Sequence, residues 1–560
     1  MPSRSFDLFF YACLVVLAVI YCIAMQLPIM DIDSSQYALI SKEMFETGSY
    51  LQIYDKGADY LDKPPLVFWA ACLSFKIFGV HDWSFRLPSV LCLALGIYST
   101  YRFTRLFYGE LTGKIAALVM ASCFATYVMC DDLRIDTMLT GWVMFSLWQL
   151  AEFNATLKLK NIILGAIGVG LAMITKGPIG LIIPVTAFSV HFIYMRQWKS
   201  FFRWQYLLAL LVIAIILIPM SYGLYEQFDV THSKKVDGKV VQSGLMFYYW
   251  TQSFGRITGQ SGWNNSPDPF FLLHSFLWSF LPWTVFFIVA LFTEIKTKIK
   301  EYKSPARTEA ITVVGFVLIL LFLTRSHYQL PHYTFAIHPL AAVITAKYLS
   351  SFLSTPQTKN KLFSVTYGVN VFVIVVLYAL CFLVLNYIFP VAFPYSILVA
   401  FSFGLLLSVL INKKAEAGYK AIVSTVLTFI TLGFVLCLNF YPTLLSYQSG
   451  SQAALDLNKI APDNSRLLIY KDYAVNSLIF YSKAPVTEYI DENSLPKNMV
   501  KDHTFIYADS VNAKAIMTDH PEIKPVKMYK NWAVTLLNGR FLNPATRNIA
   551  IDEKNVLMKY

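Results

Sequence analysis

The chain has 560 residues, 56% of them hydrophobic and 14% charged, with a mean hydropathy of +0.52 and a formal net charge of +12. A string of soluble domains is excluded, because that little charge cannot cover the surface of soluble domains, and the apolar residues come in blocks long enough to cross a hydrocarbon core of roughly 30 Å. The positive balance does not point to nucleic acid: the Lys and Arg residues of the apolar region fall largely in short connections between blocks, the pattern of cytoplasmic loops.

In chain order the blocks predict thirteen helices, near residues 7–28, 86–107, 112–130, 137–153, 160–174, 178–195, 204–222, 270–293, 309–324, 332–349, 362–384, 391–411 and 421–441. With the N-terminus in the cytoplasm, the cytoplasmic connections collect Arg102, Arg105 and Lys114; Lys158 and Lys160; Arg196, Lys199 and Arg203; Lys296 to Arg307; Lys347, Lys359 and Lys361; and Lys413, Lys414 and Lys420. Residues 64–80 look like a further span, but counting them would move every later basic loop outside. They are therefore expected as an interfacial helix anchored by Trp69 and Lys76, with a smaller helix of the same kind around Tyr37–Phe45. The expected fold class is a multi-span α-helical membrane protein with a transmembrane part over residues 1–444. Its first extracytoplasmic loop covers 29–85 and its second large one 223–268. Residues 445–560 turn polar, with β-like runs at Leu467–Tyr470, Ala474–Tyr481, Thr504–Tyr507 and Trp532–Leu537 and turn signals at Pro462–Asn464 and Asn493–Lys497. They are expected to form a small extracytoplasmic α/β domain. The eight cysteines lie in or at the ends of apolar blocks with no metal-like spacing, and no internal repeat stands out.

The first outer loop carries the densest chemistry. Asp31 and Asp33 follow the first span at once, and Asp62, Lys63, Pro64 and Pro65 directly precede the apolar segment. A carboxylate at a membrane surface can take a proton from a nucleophile or hold a metal ion, a neighbouring lysine can neutralise a phosphate, and two prolines fix the backbone that presents them. The alternative is a set of ordinary loop charges meeting lipid headgroups.

The order of a span, Asp33-x-x-x-Tyr37-Ala38, Asp62-Lys63-Pro64-Pro65, an apolar helix, Phe78-Gly79 and Arg86-Leu87-Pro88-Ser89 resembles the GT-C glycosyltransferases. Within them it is most similar to the branch with the aminoarabinose transferase of lipid A and the protein O-mannosyltransferases. The resemblance covers residues 7 to about 350. It implies an enzyme that takes a sugar from a polyprenyl-phosphate carrier and passes it to an acceptor on the outer side of the membrane. By the same resemblance Asp33 is the catalytic aspartate that orients or deprotonates the acceptor, Tyr37 belongs to its motif and Lys63 binds the carrier phosphate. Asp62 stands where that branch usually has glutamate. The branch commonly reads D-E-T-R-Y-A where this chain reads DSSQYA, so Ser34 replaces an acid and Gln36 an arginine.

Further candidates follow from the same comparison. Arg134 is a carrier-phosphate ligand or part of a salt-bridged loop with Asp131, Asp132 and Asp136. Lys176, in a Lys-Gly-Pro turn that the resembled family shares, contacts carrier phosphate or reaches the interface as an anchor. Arg256, in a loop with Tyr225, Glu226 and Trp263, is a phosphate ligand; Gln252-Ser253 stands where relatives carry a Glu-His pair. In the segment from Arg325 to Tyr333 similar enzymes have a Lys-Leu-Pro-x-Tyr-like element that lines the carrier cavity, and Arg325 and His327 there contact phosphate or sugar or are ordinary polar groups at a helix end. No complete metal-ligand set is visible, although carboxylates together with substrate phosphate can hold Mg2+ or Mn2+, so a divalent metal ion stays compatible with the sequence.

The implied reaction is a single displacement that inverts the anomeric carbon, with a lipid-phosphate-linked sugar as donor. The acceptor is lipid A or another envelope glycolipid, or alternatively a protein hydroxyl, and the expected location is the bacterial inner membrane. A rival from another class is a transporter or flippase of lipid-linked sugar that uses Asp33 and Lys63 only to bind. The missing repeats, and charges in a loop rather than at the bilayer midplane, count against it.

Overall fold

The computed structural model describes residues 4–559 except 231–233, 237–238, 260–263, 355–359, 392, 414, 473–474 and 490–502. The first hydrophobic block folds as α1 (Arg4–Ala24), and α2 (Asp33–Thr47) follows, ending on Gly48 at φ +71, a conformation open to glycine without steric cost. A two-rung hairpin pairs Tyr54–Asp55 with Ala58–Asp59, and Pro65 caps α3 (Leu66–Phe78). Both short helices expected in the first loop are therefore present.

The next two blocks form one assigned helix, α4 (Asp82–Ala121), but Gly109 at φ +84 divides it. The chain folds back there, since a Cβ on Gly113 would stand 3.0 Å from the carbonyl oxygen of Tyr101. Then come α5 (Phe124–Asp131), α6 (Ile135–Thr156), α7 (Leu159–Lys176), α8 (Ile179–Met195) and α9 (Gln205–Leu224). Helices α4 and α6 pack with their backbones touching. A Cβ on Gly141 would sit 2.1 Å from the carbonyl oxygen of Cys92, so glycine is required there; small residues bring membrane helices together in this way. The block at 270–293, expected as one span, is instead two helices, Phe271–Ser279 and Thr284–Glu301, bent by 120° around Leu281-Pro282. Proline supplies no backbone donor and ends the first helix. Helices at Ile311–Leu323, His338–Ser354, Lys361–Leu383, Phe393–Ile411 and Ala417–Val435 occupy the remaining blocks. Among the described residues six helices are long and apolar enough to cross a membrane, or eight when each of two bent pairs counts as one span.

Arg86 fixes the geometry that follows α1. Its side chain is fully buried and donates to the carbonyl oxygens of Asp131 (2.8 Å), Met25 (3.1 Å), Leu27 (2.5 Å) and Pro28 (3.2 Å). A buried guanidinium is tolerated only with its donors satisfied. Here it satisfies backbone carbonyls beyond the end of α1 and ties that end to α4 and α5.

After a helix over Ser449–Ile460, the C-terminal segment forms a five-stranded mixed sheet. Its spatial order is Val486–Tyr489, Arg466–Tyr470, Thr504–Asp509, Asp552–Lys559, Ile523–Asn531. The first three strands are parallel and the last two antiparallel to their neighbours. Leu467, Ile469, Phe505 and Tyr507 pack on one face and Leu468, Ile506 and Leu557 on the other, so both faces are buried. Two of the expected β-like runs are strands. The run at Ala474–Tyr481 is instead a helix from Asn476, with Ala474 itself outside the described residues, and Trp532–Leu537 is irregular chain after a strand that ends at Asn531. The expected turn at Asn493–Lys497 also lies outside the described residues.

Candidate active site

Of the residues singled out in the first loop, Asp33, Tyr37, Asp62, Lys63 and Pro64 converge on one cavity of about 460 Å3, whereas Asp31 and Pro65 do not line it. Its polar side is built by α2 (Asp33, Gln36, Tyr37), the 54–59 hairpin (Asp55, Asp59), Asp62 and Lys63, and the start of α6 (Arg134, Asp136). Lys176 at the end of α7 closes that side. Its apolar side is built by Leu139, by Ile179, Ile182 and Ile183 of α8, and by Phe322, Leu323 and Ala336. A cavity with a charged wall and a branched-aliphatic wall matches a ligand with a polar head and a hydrocarbon body.

The charges are arranged in pairs. Arg134 donates to Asp33 through Nη1 and to Asp132 through Nε (2.9 Å) and Nη2 (2.7 Å). Arg134 thus stands in the salt-bridged arrangement, and one of its partners is Asp33 itself. The Asp33 side chain is 43% exposed; Arg134 engages Oδ2, and no described donor reaches Oδ1. Lys63 pairs with Asp62 at 2.6 Å, and Gln252 donates to the Asp62 carboxylate at 3.1 Å and to its carbonyl oxygen. Lys176 pairs with Asp136 and lies 4.0 Å from the centre of the Tyr333 ring, while His332 Nε2 stands 3.8 Å from Asp136. Gln36, in the place of the arginine expected from the family resemblance, donates to Asp55 at 2.7 Å.

Tyr37 and Tyr60 flank Phe68, each with ring centres 6.1 Å from it. Burial pushes both phenols well above their ordinary range; the Asp33 charge adds to this for Tyr37 and the Asp62 charge for Tyr60. Both stay neutral at physiological pH and pack their rings against Phe68.

Seven of the ten candidates from the sequence, Asp33, Tyr37, Asp62, Lys63, Arg134, Asp136 and Lys176, line this cavity. Arg325 and His327 do not, whereas their neighbours Ser326 and Tyr328 do. The side chain of Arg256 and the whole of Trp263 lie outside the described residues. Sequence reasoning missed Asp55 and Asp59 as cavity residues; Gln252, His332 and Tyr333, also in the lining, belong to stretches that the family resemblance had already marked. A local signal exists for both aspartates, since they are acidic residues around the Lys56-Gly57 turn. Among the described residues no three His, Cys, Asp or Glu side chains form a group that could hold a metal ion.

Set beside known structures, the whole chain superposes on ArnT from Cupriavidus metallidurans bound to undecaprenyl phosphate. The TM-score is 0.72 at 17% identity, over 100% of this chain and 99% of that one. The chain has the GT-C glycosyltransferase fold. A family model described as dolichyl-phosphate-mannose-protein mannosyltransferase matches residues 62–222, from the Asp62-Lys63 pair through α9. Among curated relatives, the undecaprenyl phosphate-alpha-4-amino-4-deoxy-L-arabinose arabinosyl transferase 2 of Proteus mirabilis is 25% identical over 322 residues, 56% of this chain and 54% of that protein. The corresponding transferase of Erwinia tasmaniensis is 24% identical over 362 residues, 63% of this chain and 62% of that protein. The chain thus spans about half to three fifths of the length of the curated relatives it matches. Within the GT-C fold its resemblance is to the ArnT branch.

Proposed function

We propose that this chain is an inverting glycosyltransferase of the inner membrane that moves a sugar from an undecaprenyl-phosphate-type carrier to lipid A or another envelope glycolipid. The observation that carries the reading is the two-sided cavity. An aspartate with one open oxygen, two lysines and an aliphatic wall meet in a single space of about 460 Å3. The ArnT fold and the arabinosyl transferase relatives support the same donor chemistry.

In the proposed reaction the acceptor's nucleophile approaches Oδ1 of Asp33, which orients it and draws its proton, while Arg134 on Oδ2 holds the carboxylate in place. Positioned acid–base help of this kind contributes roughly 10²–10⁴-fold in rate. The nucleophile attacks the anomeric carbon, the bond to phosphate oxygen breaks, and the departing polyprenyl phosphate takes up the negative charge. Lys63 and Lys176 are proposed to stabilise it by exchanging their present partners, Asp62 and Asp136, for phosphate oxygens; Arg256 is proposed to join them. Ile179, Ile182 and Ile183 receive the start of the isoprenoid tail. The proposed membrane arrangement is the thirteen-span one, with the N-terminus cytoplasmic and the cavity and residues 445–560 on the outer side.

A second acceptor reading, a protein hydroxyl, is favoured by the match to the mannosyltransferase family model over residues 62–222. Mass spectrometry of lipid A and of total envelope glycans and glycopeptides separates the two. It compares cells lacking the gene with cells complemented by wild type, Asp33→Asn or Lys63→Ala. A sugar mass lost from lipid A and restored only by wild type supports the first reading, and the same pattern on peptides supports the second. Glycans that do not change at all would overturn both in favour of transport.

A further inference from the structure

At the far ends of α8 and α9 from the cavity, a short 3-10 turn, Trp198–Phe202, links the two helices. Helix α8 starts beside the cavity at Ile179 and runs 17 residues, about 25 Å at 1.5 Å per residue, so this turn lies one membrane-helix length away. Around it is a second cavity of about 490 Å3, lined by Arg196, Lys199 and Arg203 together with Asn154, Trp198 and the buried Ser200.

Three features set this cavity apart from the other basic groups at the same end. First, its three cations fall within eight residues, no carboxylate lines it, and none of the three forms an ion pair with a described residue. Several other cations at that end are matched within the protein: Lys114 with Asp7 (2.8 Å), Arg105 with Glu110 (3.0 Å), Lys347 with Glu294 (2.7 Å) and Lys298 with Glu301 (3.4 Å). Second, Arg203 is held in place. It donates to Asn154 Oδ1 at 3.0 Å and packs over the Phe153 ring, with its guanidinium carbon 5.6 Å from the ring centre. Third, the rim is aromatic and exposed: Trp198 58%, Phe202 88% and Trp204 61%. Large amphipathic rings at helix ends lie at the headgroup level of a bilayer.

We propose that this cavity binds the phosphate headgroup of an anionic phospholipid from the surrounding leaflet. A concave site with three uncompensated cations selects a phosphate-bearing ligand. Basic pockets between membrane helices hold such headgroups, and the aromatic rim places the ligand's acyl chains beside the exposed Leu207, Leu210 and Leu211 of α9. The site is separate from the sugar-transfer cavity and does not depend on what that cavity does.

The test is native mass spectrometry of the full chain in detergent, offered equal amounts of phosphatidylglycerol and phosphatidylcholine. Wild type is expected to retain phosphatidylglycerol preferentially. The double variant Arg196→Gln/Lys199→Gln is expected to lose that retention roughly tenfold or more, as removal of two near-surface cations predicts. Both residues are exposed and unpaired, so the packed Arg203 stays in place and the fold is spared. The control Lys296→Gln/Lys300→Gln removes the same charge from exposed positions on the helix Thr284–Glu301 and is expected to bind as wild type does. Equal retention of both lipids, equal loss in both variants, or wild-type retention in the Arg196/Lys199 variant overturns the proposal. Displacement of phosphatidylglycerol by millimolar inorganic phosphate overturns it too, by making the ligand a free anion.

Discussion

Ser477 holds Asp31 with two donors: its hydroxyl reaches Oδ2 at 2.5 Å and its backbone N–H reaches Oδ1 at 3.0 Å. Asp31 lies two residues before Asp33, and Ser477 belongs to the short helix Asn476–Tyr481 of the C-terminal segment. The joint is reinforced on each side. Gln448 accepts from the Asp31 N–H at 2.9 Å and donates to the Ile29 carbonyl at 2.9 Å, Tyr481 accepts from the Ile29 N–H at 2.7 Å, and Lys42 of α2 donates to the Phe480 carbonyl at 2.9 Å. The C-terminal segment therefore braces the loop and helix that carry Asp33.

Ser477→Ala removes one of these bonds without touching the cavity. Losing a buried hydrogen bond to a charged group costs about 1–3 kcal/mol. The expected outcome is a lower kcat with little change in donor KM, since the misplaced group is the one that orients the nucleophile, and Ser477→Thr should restore most of the rate. Steady-state kinetics with a lipid-linked sugar donor checks this. An unchanged kcat in a variant whose Tm has fallen would reduce the brace to a structural contact.

Asp31 also gives the joint a pH dependence. Burial pushes its carboxyl above the ordinary value of 3.8, against the smaller lowering effects of the Ser35 and Ser477 donors and the Lys56 charge. The folded state therefore binds this proton more tightly than the unfolded chain. The stability it contributes is complete below about pH 3.8 and is lost as pH rises through the higher folded value. Thermal unfolding of wild type and Asp31→Asn in the same detergent should show the wild-type advantage shrinking from acid towards neutral pH. A difference that is flat across that range would remove Asp31 as the titrating group.

Asp33→Asn keeps the size of the side chain but loses the negative charge that Arg134 and the nucleophile share. We expect transfer to fall by roughly 10²–10⁴-fold with the fold intact. Arg134→Lys should be milder, because a lysine still reaches one carboxylate but gives up the fork that bridges Asp33 and Asp132. If Asp33→Asn transfers sugar at the wild-type rate, the catalytic assignment is lost.

Much of this was legible in the chain. Hydrophobic blocks of helix length announce helices because only a helix satisfies its own backbone in an apolar medium, and every block is helical, although the one at 270–293 breaks into two. The motif residues Asp33, Asp62, Lys63 and Lys176 stand out because they are charges at the edges of apolar blocks. Long-range partnership was not legible. Gln36 and Asp55 are 19 residues apart, and Asp31 and Ser477 are 446 apart; no local pattern says that they meet. The bend at Leu281-Pro282 was signalled by its proline but masked by the unbroken hydropathy around it. The run before Tyr481 has the composition of a strand, yet it folds as a helix that packs against α2.

Lys63 and Lys176 each face a carboxylate now and, in the proposed mechanism, a phosphate during turnover. Lys63→Ala should raise donor KM more than it lowers kcat if the contact is already made in the ground state, and should lower kcat if it strengthens as the bond to phosphate breaks. Both lysines bordering one cavity also predicts that the double variant departs from additivity, because one phosphate would be shared. Strict additivity in kcat/KM would place the two lysines on different ligands.

Gln36 offers the sharpest electrostatic test of the cavity. It is the neutral group among Asp33, Asp55 and Asp62 on the polar wall, and its amide already donates to Asp55. Gln36→Glu is nearly isosteric but puts a carboxylate against Asp55, which repels both that residue and an incoming phosphate. Gln36→Arg instead supplies a cation that can pair with Asp55 and still reach an anionic ligand. For an anionic carrier, donor affinity should fall in the first variant and rise or hold in the second, with the difference narrowing as salt screens the exposed part of the site. Isothermal titration with polyprenyl phosphate alone measures this without requiring turnover. It therefore separates a misassigned carrier site, where the two variants bind alike, from a misassigned acceptor, where binding follows charge but sugar transfer does not.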